Sequence, residues 1–363
     1  MKDNETKYWI AFLSVPDVGH KTIAKLLRCF GTLKNAWLAA GKEYRKLKFT
    51  ENFIERLNEH RPKINPDKEI ETMLRHDISL VTFNDPLYPK LLKEISCPPA
   101  AIFCKGDLSK CDKPALAVVG SRKMTSYGAQ AVKQIVEPLA RQGISIISGL
   151  AFGVDAAAHS VCLENNGHTV AVLGGGLSEI YPRQNAKLAE KILESGGSIV
   201  SEYPTNMPAV REHFPARNRI IAGLANAALI IEAGEKSGAL LTAYFSLDQN
   251  RDVFAVPGNI NNPFSRGANN LIKKGAGLVS APEDLFDALG INQPAGANKN
   301  FDIENLTTEQ KLIYDSLTAG EKQINRLAKT ANLPISSVNA NLIIMETHGI
   351  VRNLGNGEYG ISN

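Results

Sequence analysis

The sequence predicts an α/β protein built on an open parallel sheet, with a helical segment ahead of it and a small helical module after it. Two observations in the middle of the chain carry that prediction. Six short runs (residues 116–119, 144–147, 170–173, 198–201, 228–231 and 253–256) are apolar and β-branched without alternation, the pattern of strands covered on both faces. Between them lie helical patterns such as Ala129, Val132, Ile135 and Leu139, with Pro138 expected to kink that helix near its end. Repeated strand–helix alternation implies right-handed crossovers in one parallel sheet.

Taken in order, residues 1–76 read as short helices. Within them LSVPDVGHKTIAKLLRCFG, residues 13–31, sets a Pro-x-Val-Gly turn before an apolar helix, the form of a helix-hairpin-helix (SAM-like) element. Such a hairpin either aims backbone N–H groups at a DNA phosphate or serves as a packing and partner-docking unit. Residues 77–290 hold the strand–helix repeats. Residues 291–302, INQPAGANKNFD, have linker composition. Residues 303–363 read as a winged helix: a helix over 306–317, a helix-turn-helix pair over 324–331 and 336–348, and a hairpin around the Asn-Gly turn of IVRNLGNGEYGI. The second helix of that pair offers Ser336, Ser337, Asn339 and Asn341 and no Lys or Arg. Duplex-reading helices are usually basic on that face, so a partner-binding or accessory role is expected here.

The ends of the predicted strands are unusual. They empty into Gly120-Ser121-Arg122, Ser148-Gly149-Leu150, Gly174-Gly175-Gly176, Ser201-Glu202-Tyr203, and Glu232 followed by Lys236-Ser237-Gly238. Glycines let a ligand approach backbone N–H groups, helix N-termini favour anions, and ligands of open α/β sheets bind at the carboxyl ends of the strands. Several such ends on one edge point to a polyanion site.

Composition narrows the class. The chain of 363 residues is 44% hydrophobic and 21% charged with a net charge of +4, which fits a globular protein of two or three domains and permits a nucleic-acid partner. The cysteines Cys29, Cys97, Cys104, Cys111 and Cys162 form no C-x-x-C pair and read as reduced thiols, so no metal site is expected. No signal core and no run of about 20 apolar residues occurs, so the expectation is a cytoplasmic protein without a membrane span. The first strand leads into GSRKMTSYG rather than G-x-G-x-x-G, which argues against a dinucleotide cofactor. Arg122 places a planar cation where a phosphate would sit.

Further cations fall in the same loops: Arg183 after Tyr181-Pro182, the group Arg211, Arg217 and Arg219 in VREHFPARNR, Lys236, and Lys273 with Lys274. Aromatics lie among them: Phe152, Tyr181, Tyr203, Phe214 and Phe264. Singly, each arginine reads as a solvated charge or a structural ion pair, and Phe214 reads as well as core as it does as a binding residue. Together, cations along a groove with aromatic platforms are the means of holding single-stranded nucleic acid. For catalysis, Asp155 and His159 lie four residues apart and share a helix face, as an acid/base pair or as a structural pair at the helix start, and Glu202 and Glu232 end strands. No G-x-S-x-G elbow or Walker loop appears.

The ordered segments VVGSRKMTSYG, SGLAFGVDAAAH, AVLGGGLSEIYPRQN, SEYPTNMPAVREHFPARNRIIAGL, EKSGALLTA and VFAVPGNINNPFSRGANNLIKKGA resemble the DNA-processing protein A family (DprA, also called Smf) over about residues 80–280. The resemblance implies an extended Rossmann-like domain that binds single-stranded DNA in natural transformation, forms a homodimer, helps load the RecA recombinase, and carries no enzymatic activity and no cofactor. It implies DNA contacts at Ser121, Arg122, Arg183, Arg211, Phe214, Arg217, Asn218, Lys236, Ser237 and Gly238, with Lys273 as a further position. Where nucleotide-hydrolysing relatives of similar fold carry P-G-G-x-G-T-x-x-E, this chain reads GGGLSE. Three functions therefore compete: a single-strand binder, an enzyme acting on a nucleotide or phosphoribosyl compound in the same pocket, and a duplex-specific regulator built on the C-terminal module.

Overall fold

The computed structural model describes residues 3–291, 306–347, 350–355 and 357–361. The predicted linker at 291–302 lies outside the described residues but for Ile291. The chain forms two compact units, residues 1–290 and 291–363.

The first unit begins with six helices: α1 (Asp3–Leu13), α2 (His20–Phe30), α3 (Leu33–Leu38), α4 (Gly41–Lys46), α5 (Glu51–His60) and α6 (Pro66–Arg75). Their starts are written in the sequence. Thr32, Thr50 and Asn65 each accept a hydrogen bond from a backbone N–H at the following helix start. Their core is aromatic, with Phe12 edge-on to Trp37 and Tyr44 packed among Phe30, Phe49 and Phe53. Ile10 of α1 and Met73, on α6, belong to a different cluster, with Phe103, Leu173 and Ile199 of the sheet. That shared core is why these helices and the sheet form one unit.

The sheet has nine strands: β1 (Ser79–Thr82), β2 (Ala101–Gly106), β3 (Ala115–Val119), β4 (Ser145–Ser148), β5 (Thr169–Leu173), β6 (Ser198–Ser201), β7 (Ala227–Ile230), β8 (Asp252–Ala255) and β9 (Gly277–Leu278), in the order β1-β2-β6-β5-β4-β3-β7-β8-β9. All six predicted strands are present, shifted by one residue at most, and from β6 to β9 the sheet is parallel. The sequence reading missed β1, β2 and β9. Of these, β2 pairs antiparallel with β6, and β1 antiparallel with β2. Every residue of β3, β4, β5, β6 and β7 is buried, which explains the unbroken apolar runs. Each fully buried Val, Leu or Ile there contributes about 1.5–3 kcal/mol.

Helices connect the strands: α7 (Lys90–Lys93), α8 (Ser126–Arg141), α9 (Val154–Glu164), α10 (Ala186–Glu194), α11 (His213–Gly223), α12 (Ala239–Asp248) and α13 (Arg266–Lys273). The order of the parallel strands reverses between β3 and β7. A crevice opens outside the carboxyl ends at such a switch point.

The second unit carries α14 (Thr308–Thr318), α15 (Ile324–Thr330), α16 (Ile335–Thr347), and the antiparallel pair β10 (Val351–Gly355) and β11 (Glu358–Ile361). Thr307 and Gln310 form a reciprocal cap on α14. Leu306, Ile313, Leu327, Val338, Leu342 and Tyr359 make its core. On α16, Ser337 and Asn341 both donate to Glu309, at 2.6 and 2.8 Å, so two of the four polar residues expected to face a partner are engaged within the unit.

Candidate nucleic-acid interface

A cavity of about 910 Å³ lies at the switch point between β3 and β7. Its first wall is the turn after β3. Ser121, Arg122 and Lys123 line it, and the turn is held at both ends. The Ser121 carbonyl accepts from Val154 N at the start of α9. The Ser121 hydroxyl accepts from Lys123 N at 3.1 Å. At the far end Thr125 donates from both its N–H and its hydroxyl to Glu232, at 2.9 and 2.5 Å. Gly153 has φ +76°, and a Cβ there would overlap the Ser121 carbonyl, so only glycine lets α9 reach this turn. Arg122 and Lys123 are exposed on a loop whose backbone is fixed.

The second wall comes from the loop after β7. Lys236, Ser237 and Gly238 line the cavity just before α12. Ser237 accepts from Ala239 N at 3.3 Å, and the Gly238 carbonyl accepts from Asn218 at 3.2 Å. The third wall is the start of α11 and the segment before it, with Ala209, Arg211, Phe214, Arg217 and Asn218. The Phe214 ring has the Arg122 guanidinium 5.5 Å and the Arg217 guanidinium 6.0 Å from its centroid, and Tyr181 packs on it at 5.7 Å. Phe214 is half-buried and so belongs to the cavity wall rather than to the core.

Arg217, expected as a DNA contact, lines the cavity but is turned inward. It is only 5% exposed, and its guanidinium donates to the carbonyls of Gly149, at 2.9 Å, and Val172, and to Asn218. It closes the cavity floor by satisfying strand-end carbonyls. Gly149 is required above it, since a Cβ there would come within 2.7 Å of the guanidinium. Burial lowers the Arg217 pKa to about 10, which leaves it charged at neutral pH. Burial pushes Asp155 up, opposed by Arg217 and by backbone N–H bonds from Ala151 and Gly149.

Two further predicted contacts stand apart from this cavity. Arg183 lines a neighbouring cavity of about 450 Å³ with Gly174, Gly175, Gly176 and Met207, and pairs with Glu179 at 3.1 Å. Tyr181 and Ala209 line both cavities. Lys273 is exposed on α13 and does not line either cavity. Conversely, Lys123 lines the main cavity although the sequence reading passed over it, and its position next to Arg122 was the available signal. Tyr181 and Phe264 also line it, whereas Phe152 and Tyr203 do not; Tyr203 stacks on His213 at 3.9 Å.

The candidate acid/base groups resolve into structural ones. Asp155 accepts from Gly149 N at 3.1 Å, and the His159 ring meets the Thr169 hydroxyl at 2.6 Å, so the two do not form the expected pair. Burial holds His159 neutral, with its pKa lowered to about 3. Glu202 pairs with Arg219. Glu232 is 1% exposed and engaged by Thr125.

Comparison with known proteins places the chain among related sequences and folds. The chain is 38% identical over 345 residues to the protein Smf of Synechocystis sp., covering 94% of this chain and 83% of that one. It is 39% identical over 294 residues to Smf of Escherichia coli K12, covering 78% and 79%. Among solved structures, DNA processing protein A of Streptococcus pneumoniae superposes with a TM-score of 0.67 at 34% identity, over 77% of this chain and 97% of that one. DNA processing protein A of Helicobacter pylori, described for its single-stranded DNA binding mode, superposes with a TM-score of 0.53 at 30% identity, over 58% of this chain and 95% of that one. The DNA recombination-mediator protein A profile matches residues 79–290, from β1 past β9, and the chain belongs to that family.

Proposed function

We propose that this protein binds single-stranded DNA in the switch-point cavity and acts in DNA processing as a binding factor rather than an enzyme. The observation that carries this reading is the convergence of Arg122, Lys123, Arg211 and Lys236 around the half-buried Phe214 ring. The cations hold phosphates, and Phe214 and Tyr181 give unstacked bases a surface. The Helicobacter pylori relative, which binds single-stranded DNA, supports the ligand. Binding without turnover is supported by the fate of the titratable groups: Asp155, His159, Glu202 and Glu232 are each taken up by a structural partner.

The finer assignments rest on the family. They are a role in natural transformation, handing the strand to the RecA recombinase, a homodimer formed through the sheet domain, a cytoplasmic location and no cofactor. No helix among the described residues is long and apolar enough to cross a membrane. The C-terminal unit, with three helices, a hairpin and a bridge between Gln323 and Glu358, is proposed as a winged helix with an accessory role.

The test is fluorescence anisotropy with labelled single-stranded and duplex oligonucleotides of one sequence. Single strands should bind more tightly, and Arg122→Ala should weaken them whatever their sequence, because phosphate contacts carry no base information. Equal affinity for both forms, or turnover of a mononucleotide by the purified protein, would overturn the proposal.

A further inference from the structure

The charge of this protein is not spread evenly. Residues 1–76 hold 15 Lys and Arg against 10 Asp and Glu, while the remaining 287 residues hold 26 against 27. The helical segment therefore carries a net +5 and the rest of the chain −1. Within the segment the excess is local. Residues 18–48 contain eight cations and a single acid, Glu43. Glu43 caps Ala40 N at 2.7 Å, and of the eight cations only Arg45 has a carboxylate partner, Glu51. Lys21, Lys25, Arg28, Lys34, Lys42, Lys46 and Lys48 make no ion pair among the described residues.

The fold gathers part of this set into a line. Lys21, Lys25 and Arg28 are spaced i, i+4, i+7 on α2 and share one face of it. The opposite face is buried through Ile23 and Leu26. Lys25 donates to the Lys48 carbonyl at 2.6 Å and lies 4.1 Å from the centre of the Phe49 ring, so the helix stripe abuts the turn that carries Lys46 and Lys48. None of these residues lines the switch-point cavity.

We propose that the α2 stripe with the Lys46–Lys48 turn is a second DNA-binding surface, which grips phosphates without reading bases. Seven residues of helix span roughly 10 Å, so cations a turn apart match the spacing of a few successive phosphates. An anionic membrane is a poorer fit, because the apolar face that would have to insert is already buried in the helical core. The surface lies outside the cavity, so it extends the grip on a long strand and leaves a short one unaffected.

The experiment uses the full chain and the triple variant Lys21→Gln/Arg28→Gln/Lys48→Gln. All three side chains are exposed, and Lys25 is left in place to keep its tie. Binding is measured across a salt series with a single-stranded oligonucleotide of about six nucleotides, enough for one cavity, and with one of about 40 nucleotides. The triple variant should bind the short strand as the wild type does. On the long strand its plot of log K against log salt should be flatter by about 2, since each lost phosphate contact removes about 0.7. An unchanged long-strand slope in a variant with wild-type melting overturns this surface. If the wild type binds neither strand, the cavity reading fails with it. If the short strand still binds while the long-strand slope is unchanged, only the second surface is lost. Binding of the protein to anionic vesicles that the triple substitution abolishes, with no change on DNA, would assign the patch to a membrane instead.

Discussion

The Arg122 guanidinium lies 5.5 Å from the centre of the Phe214 ring, so the cation expected to hold a phosphate and the aromatic expected to meet a base support one another. Cation–ring contacts of this kind are worth about 0.5–2 kcal/mol. Phe214→Ala should weaken single-strand binding on the order of 5- to 150-fold, from a stacking contribution of about 1–3 kcal/mol per base. The double variant with Arg122→Ala should lose less than the two single losses combined, because each single change already disturbs the pair. Titrations of the four proteins close the cycle; strictly additive losses would show that the two act separately.

Arg217 behaves as a structural residue. Arg217→Met removes three hydrogen bonds and the stronger of the two cationic influences on the buried Asp155, the other being Arg122, so about 3–5 kcal/mol of stability should be lost in urea unfolding. Adding Asp155→Asn should restore part of it. Wild-type stability with weakened DNA binding would return Arg217 to the list of contacts.

Salt dependence tests whether the main cavity holds phosphates. Four cations line it besides the buried Arg217, namely Arg122, Lys123, Arg211 and Lys236. On a short single strand the slope of log K against log salt should be about −3. A slope near zero would remove the cations from the interface.

His159 should make the fold acid-sensitive. Burial depresses its folded pKa to about 3, against about 6.5 in an unfolded chain. Its contribution is complete above pH 6.5 and is lost as pH falls toward 3, because the unfolded chain takes up the proton first. Between pH 7 and pH 5 the loss should be on the order of 1–2 kcal/mol. His159→Gln should flatten the dependence of stability on pH over that window. An identical pH profile in wild type and variant would show that the ring does not control it.

The unit boundary predicts the result of truncation. Residues 1–290 form a compact unit by themselves. A chain ending at Gly290 should melt cooperatively and keep most of its short-strand affinity. Loss of nearly all binding in a folded truncation would place part of the site in the C-terminal unit.

The sequence revealed the strands that are buried on both faces, because only they leave an unbroken apolar run. It concealed β1, which is part-exposed and four residues long, and β9, which is two. It also concealed β2, which begins straight after Pro98, Pro99 and Ala100 and pairs across the sheet with β6, far away in the chain. At the site, loop cations such as Arg122 and Lys236 were legible because strand ends of this fold must face the crevice. The inward turn of Arg217 was not. It depends on which face of α11 meets the carbonyls of Gly149 and Val172, about 68 and 45 residues away along the chain, and residue type carries no trace of that. The Asp155–His159 spacing misled for the same reason: each side chain found its partner on a strand or loop rather than on its own helix.

The cluster that joins Ile10 and Met73 to Phe103, Leu173 and Ile199 has a consequence for how such chains can change over generations. A helix whose side chains fill gaps on a sheet cannot be exchanged for an unrelated one without opening a void or forcing an overlap there. Substitutions in α1 and α6 must therefore be matched by substitutions in β2, β5 and β6. The C-terminal unit has a core of its own, in which Leu306, Val338 and Tyr359 meet, so substitutions there must be matched within it, and the two ends of this protein should diverge by different routes.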